Sequence, residues 1–289
     1  MISTRLAIRA LRLAVTRASS NPIRDYDAAS QDYDSFFTRV MGKHSADALE
    51  LVKIVPGDVV VELACGTGHL TTRIQERLDS RGTILAVDKS PGMLAVAREK
   101  VTPRPGLTVD LQVGDMTEFL RALPDASADI VICGWAICYA KPVQLLKQIH
   151  RVLRPGGQVL VVETRADALR TLVESLEQVF AQDPSVMTAL IRVNLPKNAD
   201  VVARWFTRAG LSVSRREEGE QLLPVHSPDE ALEYVQRSGA AAGFKDAVDA
   251  SREAEVLAKL RTALAERAGE LTLRHTYVVV SGRKLGPRW

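Results

Sequence analysis

The stretch Val59 to Thr72, VVVELACGTGHLTT, reads as a strand that breaks into a glycine turn and then a helix. Three consecutive valines suit a buried strand. Gly66 and Gly68 let the backbone turn tightly and approach a ligand closely. Such a unit opens several kinds of cofactor site, and its letters narrow the choice. A phosphate-cradling loop ends in Gly-Lys-Ser/Thr, which is missing here, and the dinucleotide fingerprint needs a third glycine where Thr71 stands. A purely structural turn stays open at this point.

Further along, the same grammar repeats. The run Thr83 to Asp88, TILAVD, is β-rich and ends in a carboxylate, about twenty residues beyond the glycine loop, as a ribose-binding acid does at the end of a second strand. Lys89-Ser90-Pro91-Gly92-Met93-Leu94 starts a helix, in which Met93 is either a ligand contact or ordinary core. Leu107 to Val113 alternates like a half-exposed strand and ends in Gly114-Asp115-Met116. Ala128 to Cys133 is almost wholly apolar, as a strand covered on both faces should be, and delivers Gly134-Trp135-Ala136 to the same edge. Leu145 to Glu163 is an amphipathic helix, a turn at Pro155-Gly156-Gly157 and a fifth apolar strand.

Taken together, Glu62 with Ala64-Cys65-Gly66-Thr67-Gly68, the Asp88/Ser90/Met93 pattern, Asp115, and Arg151-Val152-Leu153-Arg154-Pro155-Gly156-Gly157 resemble the class I S-adenosylmethionine (SAM)-dependent methyltransferases. The wording is closest to the ubiquinone and menaquinone methyltransferases and their small-molecule relatives. The resemblance spans residues 56 to 165, and His69 departs from it, standing where the quinone enzymes usually carry an acid. It implies an α/β fold: a doubly wound, seven-stranded, mainly parallel sheet with an antiparallel last strand and helical lid insertions. It implies SAM as cofactor, with the loop at Ala64, Gly66 and Gly68 bending around its methionine part. Glu62 then orders the loop or meets the amino group, Asp88 holds the ribose, and Lys89 and Met93 follow on the adenine side. Asp115 receives the adenine amino group, the Met116 N–H meets a ring nitrogen, and Gly134 stands where sulfonium and acceptor meet.

The 289 residues are 46% hydrophobic and 25% charged, which suits a globular enzyme of one large domain with insertions. The division expected is a helical N-terminal cap over 1–50 and a methyltransferase domain over 51–289, with insertions near 165–197 and 227–268. Cys65, Cys133 and Cys138 have neither zinc-site spacing nor an even count, which implies a reducing, cytoplasmic setting. No metal-ligand constellation is expected. A net charge of +3 with no aromatic-interleaved basic stripe argues against nucleic acid as substrate.

Arg5, Arg9, Arg12 and Arg17 stand in an acid-free N-terminal segment interspersed with Leu, Ile and Ala. Three readings stay open for residues 1–20: a transit peptide, a membrane-surface helix making peripheral contact, or a helix packed on the domain or on the partner of a homodimer. Asp25 to Phe37 is rich in aromatics and acids, and Tyr33 is the residue the resemblance places over the cofactor as a shield from water. Beyond the fifth strand, helices are expected over residues 166–180 and 185–194, then over 198–210 with Asn198 as a possible cap. A sixth strand over 211–216, a helix opening at Ser227-Pro228, a long helix over 247–268 and a last strand over 273–281 complete the chain. The expected activity is methyl transfer to a small organic acceptor, with oxygen favoured. Carbon or nitrogen of a quinone-like or specialised-metabolite ring is the alternative, as is use of the bound sulfonium without methyl transfer. His226 and Tyr139 are the candidate catalytic residues, with His44 a further histidine near the core.

Overall fold

The computed structural model describes residues 4–16, 20–240, 242–267 and 271–286, so Arg17, Ala241 and Ala268 lie outside the described residues. The chain forms two compact units. A sheet unit comprises Thr38–Ala166, Val193–Glu220 and Thr276–Trp289; a helical unit comprises Met1–Phe37, Asp167–Arg192 and Gln221–His275.

The sheet unit is built on seven strands: β1 (Val59–Leu63), β2 (Gly82–Asp88), β3 (Leu107–Val113), β4 (Ala128–Gly134), β5 (Leu153–Thr164), β6 (Ser212–Leu222) and β7 (Arg274–Arg283). Their order is β3-β2-β1-β4-β5-β7-β6. β1, β2, β3, β4 and β5 pair in parallel, and β7 runs antiparallel to β5, from Gln158↔Arg283 to Thr164↔Tyr277. This is the doubly wound architecture that the resemblance implies. The strand order reverses at β1, and ligands of such sheets bind outside the carboxyl ends at that reversal.

Each central strand is apolar on both faces because each face is covered by helices. Val61, Leu63, Val131, Cys133, Val159 and Val161 pack with the helices Pro142–Val152 and Ala199–Arg208. The alternate residues Val60, Ile130, Ile132, Leu160 and Val162 pack with Arg39–Leu49 and His69–Leu78. Residues of opposite parity thus build two separate cores from one sheet.

In the helical unit, the helices Thr4–Val15, Ile23–Ala29, Arg170–Gln182, Pro228–Arg237 and Glu253–Ala265 come together from three distant stretches of chain. Tyr26, Tyr33, Phe37 and His275 form a column of rings, with Tyr33 stacked on Phe37 at 5.0 Å between centroids. Arg237 closes its side by an ion pair to Asp32 at 3.2 Å while its guanidinium covers Phe36.

Four boundaries differ from the sequence reading. The helix expected over 185–194 is only a turn, Pro184–Val186, because the next backbone groups bond elsewhere. The Thr188 N–H donates to the Ala247 carbonyl and the Asn194 N–H to that of Cys138. The long helix over 247–268 is cut back to Glu253–Ala265, because Val248 pairs with Met187 and Asp249 caps a separate turn. Helix Pro142–Val152 ends three residues before Pro155, whose ring disfavours helical backbone ahead of it. The sixth strand continues to Leu222, with Gly219 leaving room for the Tyr277 ring.

Candidate cofactor site

Backbone geometry makes the site before any side chain does. Gly66 has a φ of +56° and Gly68 of +80°, so the chain after β1 turns through the left-handed region that glycine enters at little cost. The two glycines do different work. A Cβ added at Gly68 would lie 3.1 Å from the Ala97 Cβ and 3.3 Å from its Cα, so Gly68 lets the helix Pro91–Lys100 pack close. A Cβ at Gly66 would meet nothing within 4 Å, so that side of the loop is open.

Two residues at the same edge, Ala64 (φ +54°) and Trp135 (φ +59°), hold left-handed backbone although neither is glycine. Strain of this kind is of order 1–3 kcal/mol and gathers at functional sites. Trp135 is held by its backbone N–H, which donates to Val162 at 2.7 Å, and by its indole N–H, which donates to Ser45 Oγ at 2.9 Å.

Acids stand at or next to the strand ends, and each is bonded to backbone or side-chain donors. Asp88, ending β2, accepts from the Gly66 N–H through Oδ2 and from the Ser90 N–H through Oδ1, both at 2.8 Å. One side chain therefore ties the glycine loop to the next helix start. An acid at the end of the second strand, next to the reversal of strand order, stands where such sheets meet a ribose. Ser90 caps the helix by accepting from the Met93 N–H at 3.1 Å, and Met93 itself is buried.

Asp115 caps the helix Met116–Ala122, its Oδ1 accepting from the Thr117 and Glu118 N–H groups at 2.9 and 3.3 Å. Lys89 lies 3.5 Å from Oδ2. Burial would raise the Asp115 pKa, but those two N–H groups and the Lys89 ammonium hold it below the usual carboxylate range. Met116 packs half-buried against the core, and Gly134 ends β4 with Leu70 Cδ1 3.5 Å from where its Cβ would be.

Glu62 is buried within the sheet unit and accepts from the Thr71 hydroxyl at 2.7 Å. Loss of water, opposed by that bond and reinforced by the Asp88 charge, pushes its carboxyl up to about 8. Cys65 is buried below the loop, and burial together with the Glu62 and Asp88 charges raises its thiol, so it fills space rather than reacts. His69 faces the neighbouring helix, Nε2 lying 2.9 Å from the Gly42 carbonyl oxygen, so this residue ties two helices together.

Sequence reasoning passed over three residues at this edge. Glu163, ending β5, accepts from the Cys138 N–H at 2.9 Å and the Thr164 N–H at 2.7 Å, and so holds the turn Ile137–Tyr139; burial pushes its carboxyl up to about 7. Its signal was available, since it is the acid that closes an apolar run. Trp135 was placed at the edge by the end of the fourth strand but given no role, and Tyr277 had no such signal. Tyr277, opposite Thr164, lies 2.8 Å through its hydroxyl from His44 Nδ1, and its ring meets Trp135 edge-on at 5.9 Å. Of the catalytic candidates, Tyr139 is 38% exposed on the turn held by Glu163. His226 is exposed in the helical unit, and its backbone N–H is bonded to Glu230 at the start of Pro228–Arg237. Tyr33 lies in the ring column described above.

Residues 61–161 match a family model described as a methyltransferase domain. A demethylmenaquinone methyltransferase of Symbiobacterium thermophilum is 32% identical over 145 residues, 48% of this chain and 57% of that protein. The chain spans about half the length of the curated relatives it matches. Among solved structures, a phosphoethanolamine N-methyltransferase 2 of Haemonchus contortus, in complex with phosphomonomethylethanolamine and S-adenosylhomocysteine, superposes with a TM-score of 0.55 at 18% identity, covering 90% of this chain and 58% of that one. The cyclase SpnF superposes at 0.53 with 17% identity, covering 85% and 82%. Residues 61–161 are thus similar to a methyltransferase domain, and the doubly wound sheet around them is the fold of these solved structures.

Proposed function

We propose that the chain binds SAM at the carboxyl edge of β1, β2 and β4 and transfers its methyl group to a small organic acceptor. The observation that carries this reading is Asp88, which ends β2 beside the point where the strand order reverses and ties the Gly66 N–H of the glycine loop to the Ser90 N–H of the next helix start. In this reading Glu62, Ala64, Gly66 and Gly68 surround the methionine end of the cofactor. Asp88 lies at the ribose, and Lys89, Met93, Asp115 and Met116 at the adenine. Gly134 stands beside the methyl. When bound, SAM supplies a methyl group on a positively charged sulfur, and the protein's own residues align the acceptor, exclude water and take up a proton.

An oxygen acceptor is favoured, and a ring carbon of a quinone-like hydroquinone or a nitrogen is the alternative. For the first two, a hydroxyl must lose its proton as the bond forms, since the phenolate is the nucleophile at oxygen and at the adjacent carbon alike. The Tyr277–His44 pair is the best supported acceptor of that proton. The acceptor's proton passes to Tyr277 Oη as Tyr277 hands its own to His44 Nδ1, and burial keeps Tyr277 a phenol beforehand by raising its pKa. Tyr139 and His226 are the competing assignments. Similarity to a demethylmenaquinone methyltransferase supports a quinone-like ring among the acceptors to be tried.

The test is incubation with methyl-labelled SAM and either a short-chain demethylmenaquinol or a metabolite extract, with the labelled product located by mass spectrometry. Release of S-adenosylhomocysteine with a labelled product is expected. Tight SAM binding without transfer to any acceptor would instead favour use of the sulfonium in place. Tyr277→Phe is expected to lower kcat by about a hundredfold with little change in KM. The same loss in Tyr139→Phe or His226→Gln, and none in Tyr277→Phe, would move the proton to those residues.

A further inference from the structure

The helix Thr4–Val15 carries two apolar faces where a surface helix needs one. At about 100° per residue, Leu6 and Leu13 fall within about 20° of each other, whereas Ile8, Leu11 and Val15 span roughly 60° on the opposite side. Leu6 and Leu13 are buried in the helical unit. Arg9, on that side too, fastens the helix by donating its Nε to the Met187 carbonyl at 3.0 Å. The outer face is bare: Ile8 is 47%, Leu11 66% and Val15 76% exposed.

Arg5 and Arg12 project along one flank of that outer stripe, both exposed, and among the described residues neither forms an ion pair. The acids on and beside the neighbouring helix Arg170–Gln182 do not serve them. Glu174 is paired with Arg170 and Arg267, and Asp183 with Arg252. At the far end Arg192 reaches the Ala14 carbonyl at 3.4 Å, next to the 41% exposed Ile191, which lengthens the same basic and apolar surface. No helix among the described residues is long and apolar enough to cross a membrane.

An exposed apolar stripe edged by arginines that form no ion pair among the described residues is complementary to one kind of surface, with acyl chains under anionic headgroups. We infer that the outer face of the helix Thr4–Val15 lies in the interface of an anionic lipid membrane, with Ile8, Leu11 and Val15 among the upper acyl chains and Arg5 and Arg12 at the headgroup phosphates. This inference stands apart from the cofactor site and holds whichever acceptor is methylated. The buried face stays with the protein, so the whole folded chain docks.

The experiment is co-sedimentation of the full chain with vesicles of phosphatidylcholine alone and of phosphatidylcholine with phosphatidylglycerol, at low and high salt. Wild type is expected to sediment with the anionic vesicles and to be released by salt. Arg5→Gln with Arg12→Gln is expected to weaken partitioning by about fivefold for each arginine, about thirtyfold together. Ile8→Ser with Leu11→Ser is expected to weaken it at least about tenfold at either salt concentration. Lys53→Gln with Lys147→Gln, which removes two exposed charges from the sheet unit, should leave it unchanged. All these positions are exposed, so melting temperatures should match wild type, and circular dichroism checks that they do. Wild type remaining in the supernatant with anionic vesicles, or serine and glutamine variants sedimenting as wild type does, overturns the inference. So does a wild-type dimer in sedimentation velocity that the serine variant converts to monomer, because the face would then belong to a second copy.

Discussion

Replacing Asp88 by Asn separates the two tasks assigned to that carboxylate. The carboxylate accepts from the Gly66 and Ser90 N–H groups at 2.8 Å each, and in the proposed reading it also receives the ribose hydroxyls. An amide of the same shape keeps only one oxygen and turns an NH2 toward one of those two N–H donors. One loop bond is therefore lost. Charge-assisted bonds contribute about 1.5–3 kcal/mol when dry, and Asp88 is half-exposed, so water offsets part of the loss and about 1–2 kcal/mol of stability should go. That corresponds to a few degrees in Tm for a chain of this size.

Binding should suffer separately, because a ribose has two hydroxyl donors and the amide offers one acceptor. Losing one charge-assisted bond and weakening the other amounts to about 1.5–3 kcal/mol, roughly a 10- to 150-fold rise in Kd for S-adenosylhomocysteine. Calorimetric titration reads the affinity and thermal melting reads the stability. Ser90→Ala is the control: it removes the cap on the Met93 N–H and leaves the Asp88 carboxylate in place, so it should lower Tm and leave Kd near wild type. An Asp88→Asn protein that binds as tightly as wild type refutes the ribose assignment. One that binds weakly but melts as wild type refutes the account of the loop.

The two loop glycines should fail in opposite ways. Gly66→Ala meets open space, so it should cost only about 1–2 kcal/mol of left-handed strain in stability yet obstruct S-adenosylhomocysteine in titration, whereas Gly68→Ala presses on Ala97 and should show mainly as a lowered Tm. Stability should also fall with pH. Glu62 and Glu163 are raised from 4.5 to about 8 and about 7, so the folded chain keeps protons that the unfolded chain has released. Their contribution is complete below the ordinary carboxyl range and is lost as pH rises through about 7 to 8; Glu62→Gln should flatten that slope in melting curves taken across the range. Glu163→Ala, by leaving the Cys138 and Thr164 N–H groups without their acceptor, should cost about 2–5 kcal/mol in denaturant titration, and Glu163→Gln less.

Strands were legible wherever both faces are buried, because apolar runs such as Ala128 to Cys133 and Thr83 to Asp88 have no other stable place. Several helices were legible through their punctuation: Ser90, Asn198 and Ser227 all stand at helix starts with their side chains accepting from the first turn, and Pro91 and Pro228 follow two of them. What failed was local pattern without local partners. Residues 185–194 have the apolar spacing of a helix, but their N–H groups go to Ala247 and Cys138, both more than fifty positions away in the chain. Periodicity cannot register a backbone partner that distant, and the long helix expected from 247 was broken by the same exchange, through Val248 and Met187.

The site divides along the same line. Which acids stand at strand ends could be read from the sequence, because a strand's end is a local event. What each acid holds could not, since Asp88 reaches back 22 positions to Gly66 and Glu163 back 25 to Cys138, across parallel neighbours joined by whole crossover helices. The cofactor contacts proposed here are therefore also the ties that order their own loops, and a single substitution tests two roles at once. Tyr277 and His44 are the extreme case. They are 233 positions apart, and nothing in either neighbourhood marks them as a pair. Only the antiparallel return of β7, which sets Tyr277 opposite Thr164, brings that hydroxyl to the edge where β4 and β5 end. A proton acceptor assembled by topology, as proposed for this pair, leaves no motif, whereas the proposed methyl donor follows from a resemblance carried by local strand-end motifs.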